Sequence, residues 1–216
     1  RDLIHLTSTN IKCDEFIEKI KGKTLFTGAI KEEIKPKLKD VTYYDLMRID
    51  EVATLNAIPT AEGAICEAIK NSNTVLSGKN VLVMGYGKVG KVLSQKLNGI
   101  GCNVYCEARK ESDLAMIEAM GYNSIHLNTL DNYLKDMDYI FNTIPLMMLN
   151  EERLRLLKED VLIIDLASNP GGVDFDMANK LNKKVVWSLS LPSKVAPKSA
   201  AIYLKSTIDR IIKEIE

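Results

Sequence analysis

A chain of 216 residues, 46% of them hydrophobic, is long enough for one large or two modest domains with substantial cores. Lysine plus arginine and aspartate plus glutamate balance at 29 each, so no basic field directs the chain to nucleic acid and no acidic excess marks a solvating tail. No apolar run approaches the length of a membrane span and no basic-then-apolar leader opens the chain, which points to a cytoplasmic globular protein with a small-molecule partner, no nucleic acid and no membrane.

The first 75 residues carry a small pattern of their own: strand 2–6, helix 12–20, strand 24–27, helix 31–38 and strand 41–44. They read as a partial α/β domain on the substrate side. The start at Arg1, inside a strand-like run and without an initiator methionine, suggests that an N-terminal segment is missing. Residues 45–73 supply one or two linking helices, with Pro59 and Thr60 marking the start of the later one.

At Val81-Leu82-Val83-Met84-Gly85-Tyr86-Gly87-Lys88-Val89-Gly90 four apolar residues feed a glycine turn that opens a helix. Gly85 permits the tight turn, Gly87 lets the backbone approach a pyrophosphate, and Gly90 lets the helix pack closely on the strand. The first-turn N–H groups, with Lys88 and Val89 among them, then face the phosphates. A glycine triplet alone is weak evidence. Here Val89, Leu93 and Leu97 recur at helical spacing until Gly99 and Gly101, and a second strand follows at 103–107, as a dinucleotide site requires.

The end of that second strand reads Glu107-Ala108-Arg109-Lys110. Ala108 stands where an acid usually accepts the ribose 2′-OH, and Arg109 with Lys110 suits a 2′-phosphate, because a planar fork of donors matches phosphate oxygens. NADP is therefore expected over NAD. Glu107 would argue for NAD if the register were one residue earlier.

Further strands are expected at 124–127, 138–142, 161–166 and 185–189, with helices at 88–98, 112–120, 129–135, 151–157 and 174–181. Six strands with crossover helices make a doubly wound parallel Rossmann sheet over residues 76–194. Over 195–216, Leu204, Ile208, Ile211, Ile212 and Ile215 form an amphipathic stripe. That helix is expected to pack back on the first domain, leaving the substrate between two lobes.

Cys13, Cys66, Cys102 and Cys106 lack CxxC spacing and a histidine cluster, so neither zinc nor a disulfide framework is expected and no metal site is assigned. His5 and His126 sit in apolar runs and read as structural.

In an open parallel sheet the ligand lies at the carboxyl ends of the strands. Strand four is followed by Asn142-Thr143-Ile144-Pro145, and strand five by Asp165-Leu166-Ala167-Ser168-Asn169-Pro170-Gly171-Gly172. Strand six is followed by Leu191-Pro192-Ser193-Lys194-Val195-Ala196-Pro197-Lys198. The first turn and Ala167 belong beside the cofactor. Ser168, the amides of Gly171 and Gly172, and Lys194 offer donors for a carboxylate-bearing substrate. Each also has an ordinary reading, as a turn, a strand end or a solvated lysine.

Together with Asn56-Ala57-Ile58-Pro59-Thr60-Ala61-Glu62-Gly63, these runs resemble the family of dipicolinate synthase A subunits of endospore-forming bacteria. The resemblance covers nearly the whole chain. Ser193 replaces an expected glycine, and family members have a longer N-terminal part. The turn after strand five is also similar to that of alanine dehydrogenase, although Asn169 stands where that family commonly has an acid.

The resemblance implies oxidation of dihydrodipicolinate to dipicolinate with NADP as hydride acceptor, on a branch of the lysine pathway. It also implies a B-subunit partner and work in the mother cell of a sporulating bacterium. Because the product ring is aromatic the step is downhill, and the protein chiefly positions its reactants. Asn56 and Thr60 would bind substrate with Ser168 and Lys194. Glu62 is the nearby acid that could accept the proton, unless it only favours a helix dipole.

Two alternatives stay open. One is another two-lobe dehydrogenase of amino or hydroxy acids, and the other is a regulatory NAD(H) sensor without chemistry. A homo-oligomer is compatible with any of these readings.

Overall fold

The computed structural model describes residues 3–5 and 10–216, with the side chains from Lys12 onward. Arg1, Asp2 and Leu6 of the expected first strand, and the His5 side chain, lie outside the described residues. The described residues fall into two compact units, one formed by residues up to Ala53 together with Ile202–Glu216, the other by Thr54–Ala201. The division at 53/54 and 201/202 differs from the sequence boundaries at 75/76 and 194/195.

In the first unit, β1 (Leu3–His5) pairs antiparallel with β2 (Asn10–Lys12), ahead of α1 (Cys13–Ile20). β3 (Thr24–Thr27) then pairs in parallel with β4 (Thr42–Asp45). Among the described side chains, the buried cluster here is Cys13, Ile17, Ile30, Leu38 and Val41. The helix expected at 31–38 is a turn followed by a single 3-10 stretch, Lys35–Leu38. Pro36 explains this, because without an N–H it suits the first turn of a helix and not its interior.

α2 (Asp50–Asn71) is one continuous helix with Pro59 in its interior, where a break was expected. Pro59 removes one N–H from the ladder, and the Thr60 hydroxyl bonds the Asn56 carbonyl one turn back at 2.7 Å. Ala57, Ala61, Ala64 and Ala68 are fully buried, so burial of a small-residue face outweighs the local cost of proline.

The second unit is built on β5 (Asn80–Met84), α3 (Lys88–Ile100), β6 (Asn103–Ala108), α4 (Glu111–Ala119), β7 (Asn123–His126) and β8 (Tyr139–Asn142). α5 (Glu151–Leu156), β9 (Leu162–Asp165), α6 (Phe175–Lys180) and β10 (Lys184–Trp187) complete it. The six strands are parallel in the order β7-β6-β5-β8-β9-β10. The order reverses between β5 and β8, the switch point at which doubly wound sheets bind their ligands.

Alternation along β5 sends Val81 and Val83 into one apolar layer with α2, α3 and α4, and Leu82 and Met84 into the other with α5 and α6. Both faces are covered, as a parallel sheet requires. The stretch expected as helix 129–135 is two 3-10 turns, Leu127–Asn132 and Leu134–Asp136. α7 (Leu191–Val195) and α8 (Pro197–Ile215) close the chain. No helix among the described residues is long and apolar enough to cross a membrane.

Candidate active site

At the switch point Met84 hands the chain to Gly85, whose φ of +90° lies in the left-handed region. A methyl group there would fall 2.6 Å from Thr143 Oγ1 and 2.9 Å from Ile144 Cγ1, so the glycine loop and the turn after β8 fit together only without a side chain. Gly90, in the first turn of α3, would place a methyl 2.0 Å from the Gly85 carbonyl oxygen. Gly87 is different. Among the described residues nothing lies within 4 Å of where its methyl would be.

Gly87 caps α3, accepting the Lys91 N–H at 2.9 Å. A helix leaves its first N–H groups without intrahelical partners. Open space over Gly87, beside the N-terminal turn of a 13-residue helix, therefore fits a diphosphate.

On β6 the side chains of Glu107 and Ala108 are inside the protein, at 1% and 5% exposure, whereas Arg109 and Lys110 are exposed just before α4. Glu107 Oε2 accepts the Gly85 N–H at 3.1 Å, an inward bond beneath the loop. Burial pushes its pKa up, against the opposing pull of the Gly85 N–H, Arg109, Arg153 and His126.

The ends of β8 and β9 are tied by two fully buried side chains, Asn142 and Asp165. Asn142 Nδ2 donates to Asp165 Oδ1 at 2.8 Å and to the Ile144 carbonyl at 3.0 Å, and its Oδ1 accepts the Ile144 N–H at 3.1 Å. Asp165 also accepts the N–H groups of Ala167 at 3.1 Å and Gly172 at 2.8 Å. Thr143 is used in the same way, its hydroxyl donating to the Met84 carbonyl at 2.9 Å. Asn142 and Thr143 thus fix the backbone at the strand ends.

The amides of Gly171 and Gly172 point inward as well. Gly171 donates to the Ser168 carbonyl at 2.8 Å and Gly172 to Asp165, and a methyl on Gly172 would fall 2.1 Å from Asn142 Nδ2. What this loop turns to solvent is Ser168, Asn169 and Pro170, with Pro145 exposed on the neighbouring turn and Ile144 half-buried. Ala167 is buried, and its carbonyl accepts the Trp187 indole N–H at 2.9 Å.

α2 and α7 meet at Gly63, where an added methyl would lie 3.0 Å from Leu191 Cβ and 3.2 Å from Val195 Cγ2. Lys194 is exposed on α7. Asn56 is half-buried on α2 with its Oδ1 enclosed and without a partner among the described residues, the state of an acceptor that awaits a donor. Glu62 lies on the exposed side of α2, paired with Lys96 at 2.9 Å. It is not a first-turn acid, because α2 begins twelve residues earlier, at Asp50.

Sequence reasoning missed the two buried acids as site-builders. Asp165 ends a run of four apolar residues and precedes a polar turn, and an acid there has to find donors. The bond from Glu107 to Gly85 had no such signal.

Residues 57–190 match the family described as D-isomer specific 2-hydroxyacid dehydrogenase, NAD binding domain. Over 171 residues the chain is 38% identical to the A subunit of dipicolinate synthase from Bacillus subtilis, covering 79% of this chain and 58% of that protein. The crystal structure of the A subunit of dipicolinate synthase from Bacillus halodurans matches with a TM-score of 0.90 at 32% identity, over 97% of this chain and 74% of that one. That from Bacillus subtilis gives 0.92 at 31%, over 99% and 74%. By this identity, spread over most of the fold, the chain belongs to the family of dipicolinate synthase A subunits.

Proposed function

We propose that this chain belongs to an NADP-dependent oxidoreductase that converts dihydrodipicolinate to dipicolinate, acting with its B subunit in the cytoplasm of a sporulating mother cell. The observation that carries the reading is the joining of three strand ends at one switch point: Gly85 against Thr143, Asn142 to Asp165, and Asp165 to Gly172. The backbone beside the glycine loop is therefore held in place by buried polar groups. A preset shape is what a flat dicarboxylate needs.

The reaction removes one hydride and one proton from the dihydropyridine ring and leaves an aromatic ring. A bound NADP would supply the hydride acceptor. The lining N–H groups of α3, with Lys88 and Val89 in its first turn, would hold the diphosphate, and Arg109 and Lys110 the 2′-phosphate. Ser168 and Lys194 are the exposed donors for a substrate carboxylate, with Asn56 and Thr60 on α2 as further contacts. Gly171 and Gly172 act through the shape of their loop. Glu62 pairs with Lys96 through Oε1, so if it takes the proton Glu62→Gln should lower turnover, whereas Lys96→Met, which breaks the same pair and keeps the carboxylate, should not.

The direct test supplies dihydrodipicolinate made in situ with NADP+ or NAD+, and follows reduced nucleotide and dipicolinate together. Turnover is expected with NADP+. Turnover confined to alanine or 2-hydroxy acids, or nucleotide binding without turnover of any of them, would overturn the reading. Arg109→Ala should weaken NADPH binding about 10- to 100-fold, the worth of a charge-assisted phosphate contact, and leave NADH binding nearly unchanged.

A further inference from the structure

Beneath the glycine loop lies an acid for which neither the loop nor the reaction calls. Glu107 is paired with Met84 in the register of β6 on β5. Cys106 and Ala108 pack into the layer that contains α3, and alternation turns Glu107 to the opposite face. One oxygen, Oε2, accepts the N–H of Gly85. The other, Oε1, is enclosed and has no partner among the described residues.

The charged groups that act on it are Arg109 beyond the end of its own strand, His126 at the end of β7 and Arg153 on α5. Arg153 is already engaged, donating to Asp131 at 2.8 Å and to the Met148 carbonyl at 2.9 Å. His126 accepts the Asn128 N–H through Nδ1 at 3.1 Å. Burial, which pushes the Glu107 pKa up, outweighs these cations.

We propose that Glu107 is a positioning residue that takes up a proton when a dinucleotide binds, so that the loop meets the diphosphate with no negative charge beneath it. The proposal rests on the dinucleotide reading above. Gly85 joins the two: its N–H is held by Glu107 from below, and the loop it opens receives the diphosphate from above. Two anions flanking one loop, one of them buried, repel. Protonation from solvent removes that repulsion, and the neutral acid keeps the Gly85 bond through its carbonyl oxygen. An unpartnered neutral oxygen also costs less to bury than an unpartnered charged one.

The sign follows from linkage. Binding raises the pKa of Glu107 from its value in the free protein to a higher one. Affinity is therefore greatest below the lower value, weakens by up to about tenfold per pH unit between the two, and levels off above the higher.

Titration calorimetry with NADPH, at one pH within this window and in two buffers of different ionisation enthalpy, counts the protons taken up. Wild-type protein is expected to take up a fraction of a proton that Glu107→Gln does not, and the variant's Kd should lose that part of its pH dependence. The titrating 2′-phosphate of NADPH contributes equally to both proteins and cancels in the difference. His126→Gln should keep the uptake, which excludes the imidazole as its source. A residue with only a structural role would lower Tm without changing the proton count.

Equal uptake by wild type and Glu107→Gln overturns the proposal. If the variant does not fold, wild-type protein carrying 13C-carboxyl glutamate should show a carboxyl signal moving towards the protonated form on NADPH addition, and a spectrum without that change overturns it too. Absence of NADPH binding by wild type would sink both this proposal and the dinucleotide reading, whereas binding with an unchanged Glu107 sinks this one alone.

Discussion

Gly87 and Gly90 stand three residues apart and meet opposite surroundings. A methyl on Gly87 meets nothing within 4 Å, whereas one on Gly90 falls 2.0 Å from a backbone oxygen that cannot swing aside. Gly87→Ala should leave Tm within about 2 °C of wild type, as expected of a substitution with no steric conflict, and weaken NADPH binding at least tenfold. Gly90→Ala should lose both, with the midpoint of denaturant unfolding lowered. Calorimetry beside a denaturant titration checks the pair, and equal losses of stability would show that the space over Gly87 is not a ligand site. The glycine spacing was legible in the sequence because each position answers a local backbone demand. The roles of Asn142, Thr143, Gly171 and Gly172 were legible only as to place. Their polar groups turn inward to one another, and such pairings between distant residues leave no periodic trace.

Among the elements, the strands of the large sheet fall within a residue or two of their expected limits, since an apolar run between turn residues has few other ways to bury both faces. The misjudged stretches are those in which a local signal competes with burial. Pro59 announces a helix start, yet the buried alanine face of α2 carries the helix through it. The stretch at 129–135 has helical spacing but forms 3-10 turns, and α7 is too short to show a period. Packing of α7 on α2 gives a prediction at this scale. Gly63→Ala gains up to about 1 kcal/mol of helix propensity but sets a methyl 3.0 to 3.2 Å from Leu191 and Val195, which moves α7 by a few tenths of an ångström. Stability should change little while KM for the dicarboxylate rises several-fold through Lys194. An unchanged KM would remove α7 from the substrate site.

At the scale of the whole molecule, the two units differ in what their described residues bury. The six-stranded sheet of the second unit has apolar layers on both faces, whereas among the described residues the β3–β4 pair rests on a cluster of five buried side chains. Hydrogen exchange should therefore release the amides of β3 and β4 well before those of β5 and β8, because local opening costs least where least apolar surface is lost. Simultaneous exchange of both would mean that the chain unfolds as one cooperative body. Trp187 is the chain's only tryptophan, and its indole N–H is held by the carbonyl of Ala167, next to the Ser168 turn. Excited at the red edge of the indole band, where tyrosine scarcely absorbs, the chain thus emits from a single ring fastened beside the turn at Ser168, so the molecule carries its own optical gauge of that turn, with no label added.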